Sequence, residues 1–459
     1  LPAESAIETT MNTDVRIVEV EPRFKEEVFR TPLVFGSGVV RTATSLTVRV
    51  KVESGMGRTA EGWGNILLAY TWAFPSDQIA PEERDAAMRD LAAAFCAKAS
   101  ACSTRAHPIE LFLELKPDLP VIAEEVSRRR SLPHKIPALA ALVCASPVDA
   151  AVHDAFGRVN GICSYDGCGR EFMGRDLGAY LGPAFDGRYP ADYLRREYAP
   201  ELPIFHLVGG VDKLAHAELA EGDPRDGLPN CLEDWLERDG VFCLKIKLRG
   251  NDLEWDLARF KAVISVLQAR DAADFFLTAD TNEMCESPQY CIEILERLKA
   301  DCPACFERLL YLEQPTERDL SLHEFDMREL AAIKPVMVDE GVTDVQDMDL
   351  AQRLGWSGVA LKTCKGHTSC LLYIAKAAEA RMLYTVQDLT NPGLALVHSV
   401  GLAARSFPIR GVEYNARQYI PWAAQRVQRA HESLFRVRGG KVRTDSLAPR
   451  GLGYADAAL

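Results

Sequence analysis

Six charged residues in the middle of the chain each close a short apolar run, and their spacing restricts the folds open to it. Lys247 ends the run 241–247, Asp280 the run 275–280 and Glu313 the run 309–313. Asp339, Lys362 and Asp388 do the same for the runs 336–339, 359–362 and 383–388. Successive intervals are 33, 33, 26, 23 and 26 residues, each with room for a strand, a helix and two loops. When such βα units close into a parallel barrel, the C-terminal strand ends share one mouth. Three carboxylates flanked by lysines at that mouth describe a metal site with bases beside it.

The regions around these runs predict strand–helix alternation from about Ile204 to Gln418, with helices over 257–269, 287–299, 347–354, 368–381 and 392–405. An eighth apolar run, 409–414, would close the barrel. Near the start, 15–20 and 46–52 alternate apolar and polar residues, as half-buried antiparallel strands do. Gly55, Gly57, Gly62 and Gly64 then read as turns, and 81–130 has a helical period beginning at Pro81. The expected organisation is an α+β domain over 1–135, completed by the tail 430–459, and an α/β barrel over 136–429. A helix over 136–159 opens the barrel portion, and 162–203 reads as a long loop insertion. The tail 435–443 has the pattern of a hairpin with a Gly439-Gly440 turn, expected to return to the N-terminal domain.

At 459 residues the chain exceeds one ordinary core. Its formal charge of −13 argues against nucleic-acid binding, which needs clustered cations, and Arg128–Arg130 read as a solvated helix end. With no run of about 18 apolar residues, no membrane span is expected. The first residues, which do not include an initial Met, show no signal-peptide pattern. The 13 cysteines are scattered and mostly read as small buried apolar residues. Cys302 and Cys305 form a C-x-x-C without a second pair at zinc spacing, so neither redox nor metal use is expected of them. A reducing cytoplasm is the expected compartment.

Asp280, Glu313 and Asp339 offer hard oxygen ligands from three successive strands, a set suited to Mg²⁺. A bound Mg²⁺ would grip a substrate carboxylate and stabilise the enediolate left by removal of its α-proton. The bases would be Lys247 and Lys362, on strands roughly opposite one another. Lys245 shares a face with Lys247 and is expected to depress its pKa. Asn282, Lys365, Asp388 and Glu413 are candidate substrate contacts, whereas His367 and His398 read as structural.

The stretches 244–247, 278–282, 311–315, 338–341 and 360–362 resemble the enolase superfamily, in its mandelate racemase and muconate lactonizing enzyme group. Residues 146–154 look like the helix leading into that family's barrel, and 448–453 like its C-terminal return. The resemblance implies an N-terminal capping domain over a modified TIM barrel, with capping loops near 31–40 and 57–72 choosing the substrate. By this likeness Lys247 and Lys362 form the acid/base pair and Lys245 tunes them. Asp280, Glu313 and Asp339 hold Mg²⁺, and a homo-oligomer is implied. Two departures stand out: strand seven offers Gln387-Asp388 with no His, and Lys365-Gly366-His367 replaces the usual Lys-x-Gly-Gly.

The reaction expected is Mg²⁺-dependent α-proton abstraction from a small carboxylate substrate. Dehydration or isomerisation of a hydroxylated, sugar-type acid is set ahead of epimerisation or racemisation of an amino acid or dipeptide, and of cycloisomerisation. A non-catalytic metal-binding barrel is the rival of another class, and the intact opposed lysines weigh against it. A hydrolytic zinc barrel would need a His-x-His strand end, which is absent.

Overall fold

The computed structural model describes residues 11–36, 38–269 and 274–459. The start read for a signal peptide (1–10), and Ser37 within the expected loop 31–40, lie outside the described residues.

An antiparallel sheet opens the chain, built from β1 (Val15–Phe35), β2 (Gly38–Ser54), β3 (Thr59–Leu68) and β4 (Arg105–Ala106), in the order β3-β2-β1-β4. Strands β1 and β2 run much longer than their alternating segments suggest, because exposed residues such as Phe24 and Val28 interrupt the pattern midway. Their shared end projects from the sheet as a two-stranded arm. Helical residues follow as Pro81–Ser100, Pro108–Leu115 and Leu119–Arg129, not as one stretch. Gly62 and Gly64, read as turns, lie inside β3. A Cβ at Gly62 would sit 2.2 Å from Ala155 N, and one at Gly64 would sit 2.0 Å from Pro147 O. Only glycine allows this strand to lie directly on the helix Ala138–Asn160.

That helix belongs to the core of the N-terminal sheet rather than to the barrel where it was expected, packing Leu139, Val148 and Val152 with Val48 and Ile66. Pro147 within it has no N–H for the Val143 carbonyl, and the Ser146 hydroxyl donates to that carbonyl instead at 3.0 Å. The helix is long and apolar enough to cross a membrane, but its most apolar stretch, with a mean hydropathy of 1.3, is buried in the protein. Its buried Asp154 accepts hydrogen bonds from Trp63 N (3.1 Å) and Leu452 N (2.9 Å), tying sheet, helix and C-terminal return together.

Eight parallel strands form the barrel: β5 (Glu201–Val208), β6 (Cys243–Lys247), β7 (Phe276–Asp280), β8 (Leu309–Glu313), β9 (Val336–Val338), β10 (Gly358–Lys362), β11 (Leu383–Gln387) and β12 (Val412–Glu413). They pair in sequence order, and β12 pairs with β5 to close the ring. Helices cover the outside, so the strands are buried on both faces and read as short apolar runs. The register sets Lys247 beside Asp280 and Asp280 beside Glu313.

Three further features depart from expectation. The Gly439-Gly440 turn delivers β13 (Lys441–Arg443) to β5 of the barrel, not to the N-terminal sheet, because the exposed edge of β5 before Ile204 has free ladder positions for it. Of residues 162–203, those before β5 carry short helical turns and the last three open that strand; Leu177 and Phe185 pack on Leu372 and Ala375 of the barrel helix His367–Glu379. Cys302 and Cys305 are joined as a disulfide at the start of the helix Pro303–Arg308; the other 11 cysteines are free.

Candidate active site

The arm of β1 and β2 ends over the C-terminal mouth of the barrel. Arg30 anchors it to the loop after β5: its guanidinium reaches Asp226 at 2.6 and 3.0 Å, Asn230 Oδ1 at 2.6 Å and the Leu228 and Pro229 carbonyls at 3.2 Å. Beneath the arm lies a small cavity of about 70 Å³. Its roof is apolar, from Phe29, Leu33, Phe35 and Val40, with Trp72 at one side. Its floor carries Lys245, Lys247, Lys362, Asn282, Asp388 and Glu413.

Side-chain direction alternates along a strand, so Lys245 and Lys247 both project from β6 into the barrel mouth. Lys245 Nζ lies 3.0 Å from Asp280 Oδ2, 2.8 Å from Glu313 Oε1 and 2.6 Å from Glu413 Oε1. Lys247 Nζ reaches the same Asp280 oxygen at 2.5 Å and Asn282 Oδ1 at 2.8 Å. Across the mouth, Lys362 Nζ lies 2.5 Å from Asp339 Oδ2 and 4.6 Å from the centre of the Trp72 ring. The strands β6 and β10 stand four apart in an eight-stranded ring, so the two amines enter the cavity from opposite walls.

Burial in this cluster is nearly complete, with Asp280 and Glu313 at 1% exposure and Asp339 at 0%. Burial alone would lower the Lys245 ammonium, but Asp280, Glu313 and Glu413 together hold it well above the usual lysine value. Lys362 is raised likewise, desolvation being outweighed by Asp339 and Glu313. Desolvation pushes Glu313 up to about 8, opposed by Lys245 and helped by Asp280. Asp339 is held at about 2, its own desolvation overcome by Lys362 and Lys365. The Lys245 charge, expected to act on Lys247, is shared among three carboxylates.

The other candidates separate into two groups. Asn282 lies in the cavity, with a left-handed φ of 44°, bridging Lys247 and Glu340 (3.2 Å). Glu413 reaches the floor through its contact with Lys245, and Asp388 joins it there while accepting from Thr390 N and Asn415. Lys365 does not line the cavity. It donates to the Asp339 carbonyl at 2.5 Å and to Asp339 Oδ1 at 3.1 Å, bracing that carboxylate from the side. His367 and His398 are buried and bond each other at 2.9 Å.

Sequence reasoning gave no role to three residues the geometry makes central. Gln387, on β11, donates to Glu313 Oε2 at 2.5 Å. Glu340 accepts from the Trp72 indole at 2.7 Å, linking the N-terminal domain to the barrel floor. Gln314, with a φ of 32°, accepts from Asp339 N at 2.8 Å. Gln387 sits at a strand end like its charged neighbours, but a neutral side chain gave no charge signal there.

Asp280, Glu313 and Asp339 fit a divalent cation by donor chemistry: three buried carboxylates end adjacent strands, and Lys245, Lys247 and Lys362 neutralise them here. All-oxygen ligation of this kind suits Mg²⁺ rather than zinc. Fold and site together define a parallel-barrel protein with a carboxylate triad between opposed lysines. Residues 228–455 match the family model described as enolase C-terminal domain-like. Over these residues the barrel belongs to the enolase C-terminal domain-like family.

Solved structures agree in fold. The dipeptide epimerase from Enterococcus faecalis V583, complexed with Mg and the dipeptide L-Leu-L-Tyr, is 16% identical, with a TM-score of 0.59 over 95% of this chain and 99% of that one. The muconate lactonizing enzyme from Pseudomonas fluorescens, complexed with muconolactone, is 15% identical, with a TM-score of 0.58 over 96% of both. An enolase from Bradyrhizobium, complexed with magnesium and mandelic acid, is 16% identical, with a TM-score of 0.58 over 97% of both. No curated protein matches the chain by sequence.

Proposed function

We propose that this protein is a Mg²⁺-dependent racemase or epimerase acting on a carboxylate substrate with an apolar substituent. The observation that carries the reading is the pair Lys247 and Lys362, both lining one cavity from opposite walls beneath an apolar roof. One amine takes the α-proton from one face of the substrate carbon and the other returns a proton to the opposite face, which inverts the centre. Asp280, Glu313 and Asp339 would hold the Mg²⁺. When bound, it supplies positive charge against the negative charge that develops on the substrate carboxylate. Lys245 stays charged among Asp280, Glu313 and Glu413, and Lys365 braces Asp339.

The sugar-acid dehydration set first from sequence loses its support here. A polyhydroxylated substrate needs a polar partner for each hydroxyl it buries; Phe29, Leu33, Phe35 and Val40 offer none from the roof, which leaves Tyr70, Thr71 and the floor to supply them. A roof of this kind gains instead from burying an aliphatic or aromatic group, about 25 cal/mol per Å². The test is NMR of α-proton exchange in D₂O with Mg²⁺, across N-acylated and free amino acids, dipeptides, aryl hydroxy acids and sugar acids. Exchange with inversion on an apolar-substituted member supports the reading. Water loss from a sugar acid, with no exchange elsewhere, refutes it.

A further inference from the structure

The loop 209–231 that grips Arg30, together with the first turn of the helix Leu232–Asp239 after it, carries a cluster outside the barrel mouth. His216, Cys231 and Asp234 bring a nitrogen, a sulfur and a carboxylate oxygen within 4.8 Å of one another. His216 Nε2 lies 2.6 Å from Asp234 Oδ1, and Cys231 Sγ lies 3.4 Å from Asp234 Oδ2. On its far side, His216 Nδ1 lies 2.8 Å from Glu233 Oε2. A carboxylate on one ring nitrogen fixes the tautomer that presents the other nitrogen's lone pair, the orientation metal-bound histidines usually have.

We propose that His216, Cys231 and Asp234 form a second metal site, taking a borderline-soft divalent cation of the Zn²⁺ type, with Glu233 positioning the histidine. The donor set separates it from the barrel site: sulfur and imidazole select Zn²⁺ and Co²⁺, whereas the all-carboxylate triad selects Mg²⁺. On loading, the Cys231 S–H bond breaks, the sulfur binds the cation and the proton leaves to solvent. The backbone is set for this. Leu232 N donates to Lys213 O at 2.9 Å and Glu233 N to Leu214 O at 3.0 Å, so the two ends of the loop are already side by side. Cys231 directly follows Asn230, which accepts from Arg30. A cation here would stiffen the segment 226–231 that holds the arm, and with it Phe29 and Leu33 above the cavity.

The test uses the full chain, stripped with chelator and titrated with Co²⁺ alone. The expected result is a thiolate-to-cobalt charge-transfer absorption that saturates at one equivalent and is displaced by Zn²⁺ but not by excess Mg²⁺. Cys231→Ser should abolish the absorption. His216→Ala, at an exposed position, should weaken Co²⁺ binding at least 10-fold. Asp280→Asn should leave it intact. Absence of the absorption in the unaltered chain, or its persistence in Cys231→Ser, overturns the assignment. So does loss of the absorption in Asp280→Asn.

Discussion

Replacing either opposed lysine separates proton exchange from inversion, and the structure says why both variants should fold. Lys362→Met removes the amine 2.5 Å from Asp339, but Lys365 remains 3.1 Å from that carboxylate. Lys247→Met removes the amine 2.5 Å from Asp280, where Lys245 remains at 3.0 Å. Each buried carboxylate keeps a cation, so the stability loss should fall below the ~3–5 kcal/mol for stripping a buried charge of its partner. The catalytic loss is that of a positioned acid or base, about 10²–10⁴-fold, or roughly 3–5 kcal/mol in barrier. The assay follows α-proton exchange of each enantiomer separately in D₂O, alongside interconversion. Each variant should lose interconversion yet still exchange the enantiomer whose proton faces the surviving lysine, with opposite preferences in the two variants. Equal loss of exchange for both enantiomers in both variants would refute the two-wall geometry, as would full interconversion in either.

Lys245→Met takes a cation from Asp280, Glu313 and Glu413 together, so chemical denaturation should show a loss of about 3–5 kcal/mol. Mg²⁺ at about 100 times its Kd should add ~2.7 kcal/mol to the unaltered chain, and chelation should remove that increment. Asp149 is buried and accepts from Thr368 N (2.8 Å), and desolvation raises its pKa from 3.8 to about 7. A carboxyl raised by folding stabilises fully below pH 3.8 and loses that contribution as pH rises through about 7. Asp149→Asn should therefore flatten the stability profile between those values, by up to ~4 kcal/mol, in denaturation midpoints taken across that range. Leu33→Ala opens the apolar roof and should lower kcat/KM for large aliphatic substrates about 10-fold or more while sparing small ones, measured by steady-state kinetics on a graded series.

What was legible in the sequence follows from where each signal is written. A parallel strand buried on both faces is a short apolar run, and a charge at its end contradicts the run, so Lys247, Asp280, Glu313, Asp339 and Lys362 stood out residue by residue. Gln387 and Gln314 do the same positional work without charge and left no contrast to detect. The arm failed for another reason. Between its sheet and its tip, β1 exposes residues on both faces, so alternation vanishes over the stretch where the strand leaves one core for the other. The helix Ala138–Asn160 was misassigned because its apolar periodicity reports burial but not against what; only Gly62 and Gly64, read as turns, recorded the neighbour it lies on.

The same logic locates specificity. The residues proposed to perform chemistry come from one continuous barrel and are visible through their spacing. On the proposed function, the residues that would choose the substrate reach the cavity from β1, β2 and the segment at Trp72, more than 170 positions before Lys247. They are ordinary apolar residues whose role depends on docking, through Arg30 on Asp226 and Trp72 on Glu340. Substrate class can therefore change through the arm while the lysines and carboxylates stay fixed. Exchanging Phe29, Leu33 and Phe35 for polar residues should shift substrate preference without altering which face each lysine serves.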